Sequence, residues 1–180
     1  MAGIICSVLL RAYFNQPPPM QACTIRHIEK RDNKALAAII RRTFEEFKVK
    51  TAGTVYEDLT TDDLYSLFQR EDAVCWVAEV NGSIVGCAGI YPTEALPEGY
   101  CEFVKFYVAP DARGKGIGIQ LMNACIQSAK ALGYTHLYLE SFPEFSKAIG
   151  LYTKAGFRQL PTSLGNSGHF GCTLWMIKAL

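Results

Sequence analysis

Hydrophobic positions change their period several times along the chain, and each change predicts an element. Residues 22–28 alternate weakly around Ile25 and Ile28, which predicts an opening strand. Leu36, Ile39, Ile40, Phe44 and Phe47 then recur at three- and four-residue steps, with Lys34, Arg41, Arg42, Glu45 and Glu46 on the opposite side. That is the period of an amphipathic helix lying on a sheet, with Asp32 or Asn33 as its cap. A polar stretch containing Gly53 leads to Thr60 or Thr61, which is expected to cap a short helix carrying Leu64, Leu67 and Phe68.

Strand signals follow at 74–80 and 83–91, separated by Asn81-Gly82, the pair best suited to a hairpin turn that needs positive φ at both positions. A third run, 101–108, stops at Ala109-Pro110-Asp111, where proline cannot continue a ladder. Residues 117–132 read as a helix ended by Gly133, 135–139 as a strand, and 145–155 as a helix stopped by Gly156. Residues 157–160 and 174–177 are closing strands on either side of a Gly/Ser/Asn loop at 161–171. A meander followed by strand, helix and strand predicts one mixed α/β (α+β) domain over 20–180, with a central mixed sheet of about six to seven strands and about four helices.

The first 19 residues lack this regularity. Residues 2–10 are apolar but shorter than the roughly 20 needed to cross a bilayer, and no basic start or small-x-small cleavage site accompanies them. Residues 1–19 are therefore expected to be a peripheral extension, and secretion is not expected. The chain has 180 residues, 49% of them hydrophobic, with 18 basic against 17 acidic side chains. A domain of this size buries roughly 70% of its unfolded surface, so neither a disulfide nor a metal is needed to hold it together. Near-neutral charge argues against a nucleic-acid partner, and no segment argues for a membrane. The cysteines at 6, 23, 75, 87, 101, 125 and 172 form no CxxC pair and sit mostly in apolar runs, as expected of buried thiols in the cytoplasm. No metal site is expected, since His169 and Cys172 would supply only half of one.

Chemistry concentrates in Arg113-Gly114-Lys115-Gly116-Ile117-Gly118, between a strand and a long helix. Alternating glycines let several N–H groups point at one anion, and the helix start adds unpaired donors and a partial positive charge. Arg113 and Lys115 add full charges, and the whole suits a diphosphate. It is not a P-loop, because Gly116 follows Lys115 where Ser or Thr is required. Nor is it the dinucleotide fingerprint, which would need glycine where Ile119 stands.

These residues resemble the GNAT superfamily of acyl-CoA-dependent N-acyltransferases, whose signature is Arg or Gln, two residues, Gly, one residue, then Gly or Ala. Arg113, Gly116 and Gly118 fit it, residues 102–110 look like the family's fourth strand and its exit, and residues 148–157 are similar to its Leu-Tyr-x-x-x-Gly-Phe segment. The resemblance implies acetyl-CoA as acyl donor, with its diphosphate on Arg113, Gly114, Lys115, Gly116, Ile117 and Gly118. It also implies a pantetheine arm paired along Phe106, Tyr107 and Val108, where a freed amide would serve as oxyanion donor.

Tyr152 matches the family's general acid. A phenol of pKa about 10 stays protonated at neutral pH, and giving its proton to a thiolate of pKa about 8.5 is uphill by only about 2 kcal/mol. Its place in the stripe Ala148, Leu151, Tyr152 and Ala155 equally suits a packed core aromatic. The amine must lose a proton before it attacks, and Glu102 matches a position from which several family members use a carboxylate, with Glu140 or a water chain as rivals. Strand alternation predicts Glu102, Val104 and Phe106 on one face, with Lys105 and Tyr107 on the other. One departure stands out: many members carry Asn seven residues before the tyrosine, where this chain has Phe145.

The expected reaction is acetyl transfer to a primary amine, of a small molecule or a peptide, by direct attack in a ternary complex. A longer acyl-CoA donor and a noncatalytic acyl-CoA-binding module are the alternatives. Acceptor choice should lie with residues 48–60, 92–99 and 161–171. An exposed sheet edge could pair with a second copy, which leaves a homodimer open.

Overall fold

The computed structural model describes residues 23–180; the expected extension at 1–19, with Cys6, lies outside them. Among the described residues the sheet has seven strands in the order β1-β2-β3-β4-β5-β7-β6. These are β1 Cys23–His27, β2 Val74–Val80, β3 Ser83–Tyr91, β4 Tyr100–Val108, β5 His136–Ser141, β6 Arg158–Leu160 and β7 Leu174–Ala179. All neighbours are antiparallel except β4 and β5. Asn81 and Gly82 take φ of 52° and 75°, so the β2–β3 turn has the positive angles its sequence predicts.

One face carries α1, Asn33–Phe47, which buries Leu36, Ile40 and Phe44 at about 2 kcal/mol each. Beside it lies the one-turn helix α2, Leu64–Leu67. The caps differ from expectation. Asp32 makes no side-chain cap on α1 and instead lies buried, 2.7 and 2.9 Å from the two terminal guanidinium nitrogens of Arg26. Asp58 and Asp63, rather than Thr60 or Thr61, accept the amides of the 3-10 turn Leu59–Asp62 and of α2; the Thr61 hydroxyl turns inward to the Val55 carbonyl. The other face carries α3, Ile117–Ala131, and α4, Ser146–Lys154. Buried between these helices and the sheet are Phe103, Leu121, Met122, Tyr152 and Phe157. No helix among the described residues is long and apolar enough to cross a membrane.

Two irregularities of β4 shape the space on either side of it. It pairs with β5 only at Tyr100, Cys101 and Glu102, so beyond Glu102 the two strands diverge and open a wedge. On its other side the register with β3 slips between Cys87 and Gly89, which places one extra residue on β4, and Lys105 takes φ of 53°. This bulge corrects the alternation expected from sequence. Glu102 and Val104 do share a face, but Phe106 crosses to join Phe103, 5.3 Å away between ring centroids, while Tyr107 joins Val104 on the α1 face.

Candidate active site

The β4–β5 wedge forms the floor of a cavity of about 720 Å³ that also reaches the 113–118 loop. At the loop, Gly114 and Gly116 adopt φ of 77° and 78°, angles that carry the chain round so that successive amides face one way. The N–H groups of residues 114–119 have no acceptor among the described residues, and the first helical bond of α3 is Gln120 N to Gly116 O. Gly118 serves a different need: a Cβ there would stand 3.1 Å from the ring of Phe106, so its absence lets α3 approach β4 closely.

Arg113 is engaged within the protein. Its Nε donates to the Val108 carbonyl at 2.8 Å, its terminal nitrogen meets Glu46 at 2.6 Å, and the guanidinium stacks on Phe47. Its charge is thus paired, and it fixes the loop against the end of β4 and against α1. Lys115 is exposed. Along β4, the Ala109 amide donates to Val85, so ladder alternation turns the Val108 amide toward the open wedge.

Glu102 and Tyr152 reach this cavity from opposite faces of the sheet. Tyr152 is ringed by Phe103, Phe106 and Phe157 at centroid separations of 6.1, 5.8 and 5.8 Å, so it is at once a core aromatic and a cavity wall. Burial raises its pKa, which keeps the phenol protonated. Glu102 is only 6% exposed. Burial pushes its carboxyl up to about 7, helped by the nearby Glu140 and opposed by the Thr93 hydroxyl and by Lys105. Thr93 donates to Oε2, and Oε1 has no partner among the described residues.

Lys105, 7% exposed, is a cavity residue that sequence reasoning placed on the wrong face. Its Nζ lies 3.4 Å from Asp58 Oδ2. Burial lowers its pKa, opposed by Asp58. Burial also acts against the Asp58 charge but is outweighed by Lys105, Thr60 and His169, which hold that carboxylate at about 2. His169 Nε2 stands 3.2 Å from the same Oδ2. No local signal marks Lys105 or Asp58, because their partnership spans three elements.

The three loops expected to border the acceptor do meet. Gly171 N bonds Gly53 O, Asn166 N bonds Glu94 O at 2.7 Å, and Ser167 donates to Glu140 at 2.9 Å. Phe145 sits at the start of α4, packed against Phe44, Phe47 and Phe142, so an aromatic wall stands where many relatives of the signature carry Asn.

Residues 34–157 match the Acetyltransferase (GNAT) family. The chain belongs to the GNAT acetyltransferase family. Among GNAT relatives, an uncharacterized N-acetyltransferase of Escherichia coli, YjgM, is 32% identical over 161 residues, spanning 89% of this chain and 96% of that one. The ribosomal-protein-alanine N-acetyltransferase of Brucella melitensis superposes with a TM-score of 0.70 at 27% identity, covering 87% of this chain and 99% of that one. YncA of Salmonella typhimurium, a putative acetyltransferase solved with its cofactor acetyl-CoA, gives a TM-score of 0.70 at 21% identity over 88% and 94% of the two chains, a likeness of GNAT fold.

Proposed function

We propose that this GNAT enzyme transfers an acetyl group from acetyl-CoA to a primary amine by direct attack within a ternary complex. The observation that carries the reading is the junction of a loop of bare amides, an opened strand edge, a buried carboxyl and a buried phenol in one cavity. Acetyl-CoA, when bound, supplies a thioester whose carbonyl carbon is open to an amine. The amides of 114–119 would hold its diphosphate, as a helix N-terminus and a positive-φ loop favour, with Arg113 keeping the loop in place. The edge of β4 around Phe106, Tyr107 and Val108 would align the pantetheine arm, and the Val108 amide is turned to donate to the thioester oxygen. The acetyl-CoA bound by YncA in this fold supports the choice of donor.

Glu102 is the base in this reading. With a pKa near 7 it is half-ionised at neutral pH, and its unpartnered Oε1 can take a proton from an incoming ammonium. Tyr152 is the acid: burial keeps its proton in place until a thiolate departs beside it. The free thiols of Cys75, Cys87, Cys101 and Cys125, all buried, suit a reducing cytoplasm. A screen of amines, amino acids and peptides with acetyl-CoA, following thiol release, tests the reading. Release above the hydrolytic background with at least one amine supports it, whereas a protein that neither turns over nor binds coenzyme A in calorimetry refutes it.

A further inference from the structure

Charge is distributed unevenly around the cavity. The Arg113 cation is paired with Glu46, and Lys105 is paired with Asp58. What remains unpaired is Lys147, on α4, and across the cavity from that helix a group of carboxylates on β4, β5 and the 92–99 loop, Glu102, Glu140 and Glu94, none of which has a Lys or Arg partner among the described residues. The carboxylates lie together. Glu102 takes a bond from Thr93, the neighbour of Glu94; the Glu94 carbonyl accepts from Asn166, and the adjacent Ser167 bonds Glu140. Glu140 is held rigidly from two sides, by the Tyr138 hydroxyl at 2.8 Å and by Ser167 at 2.9 Å. Glu102 is nine-tenths buried with Oε1 open to the cavity.

A monoamine does not answer this arrangement. Once Glu102 has taken the proton of the attacking nitrogen, that nitrogen is neutral, and Glu140 and Glu94 still line the cavity with no Lys or Arg paired to them. A carboxylate on the acceptor would meet like charge. We propose that the acceptor is a dicationic amine, one nitrogen facing Glu102 as the nucleophile and a second nitrogen, protonated at neutral pH, held by Glu140, with Glu94 adding to the field. The inference rests on the acetyltransferase reading and adds the chemical class of the acceptor to it.

Matched four-carbon acceptors test it: n-butylamine, 1,4-diaminobutane and 4-aminobutanoate share an aminopropyl end and differ at the fourth carbon, which is a methyl, an ammonium-bearing methylene or a carboxylate. The expected kcat/KM for the diamine is about tenfold above that for the monoamine, with the amino acid about tenfold lower still. Equal or inverted values overturn the proposal while leaving the acetyltransferase reading intact. Glu140→Gln should bring the ratio of diamine to monoamine close to one; a variant that slows both alike and keeps the ratio also overturns it, because Glu140 would then act on the reacting nitrogen. If none of the three turns over, the transferase reading is judged by the wider acceptor screen, and calorimetric titration of the three compounds into coenzyme A-saturated protein still decides the charge question. Tighter diamine binding upholds it, and no preference or no binding refutes it.

Discussion

The two ends of the cavity are built on different principles. At the proposed donor end the groups on offer are main-chain amides of one short segment, 114–119, and the side chain that supports them, Arg113, lies beside it in sequence. At the proposed acceptor end they are side chains of β4, β5, the 3-10 turn and two long loops, brought together from Asp58 to His169. The contrast teaches that a ligand held by backbone needs only the right local conformation. One held by side chains needs the whole sheet to be in register.

Substitutions can set the two ends against each other, beginning with the largest effect. Glu102→Gln should lower kcat/KM by about a hundredfold or more while acetyl-CoA affinity in calorimetry stays within about twofold. In the unaltered protein kcat/KM should climb about tenfold per pH unit below pH 7 and level off above it, since only the ionised carboxyl accepts a proton. The same group has a stability consequence. Because its pKa is raised from 4.5 to about 7, the folded state holds more protons than the unfolded one between those values, so its contribution is full below about 4.5 and is lost as pH rises to about 7. The loss is on the order of 3 kcal/mol, and chemical denaturation of Glu102→Gln at several pH values should show that slope removed.

Tyr152→Phe should cost about a hundredfold in kcat with little change in acetyl-CoA affinity. Its phenyl ring keeps the packing on Phe103, Phe106 and Phe157, and the hydroxyl has no hydrogen-bond partner among the described residues, so thermal unfolding should shift by less than about 1 kcal/mol equivalent. Full turnover by this variant would return Tyr152 to a purely structural role.

At the donor end, Gly116→Val should weaken acetyl-CoA binding by about tenfold or more, because a β-branched residue at φ of 78° carries about 1–2 kcal/mol of strain and tilts the amides it flanks. Amine selectivity should be unchanged. Arg113→Lys should have the smallest effect, about threefold in affinity: the ammonium can meet Glu46 or the Val108 carbonyl but not brace both as the guanidinium does. A loss larger than that of Gly116→Val would mean that the guanidinium itself contacts phosphate.

Much of the fold was legible because its signals are local. Asn81-Gly82 specifies its turn by the angles it tolerates, and the apolar period of 33–47 specifies a buried helix face. The donor loop is legible for the same reason, as glycine at 114 and 116 is what the backbone there requires. Lys105 was misplaced because a bulge shows no signature in a strand of ordinary residues, yet it reverses the facing of every later side chain on β4. Aspartates at 58 and 63 replaced the threonines expected as caps because the chain enters each turn two or three residues away from Thr60 and Thr61.

Sequence alone therefore determined the element order, the family and the positive-φ glycine loop proposed to take a diphosphate, each written in neighbouring residues whose backbone preferences act over a few bonds. Tertiary structure decided which carboxyl is buried, which cation is cancelled by Asp58 and which acids line the cavity without an ion pair. Those are sums over groups far apart in the chain, and both desolvation and Coulomb energy depend on distances that exist only once the strands have diverged and the loops have met.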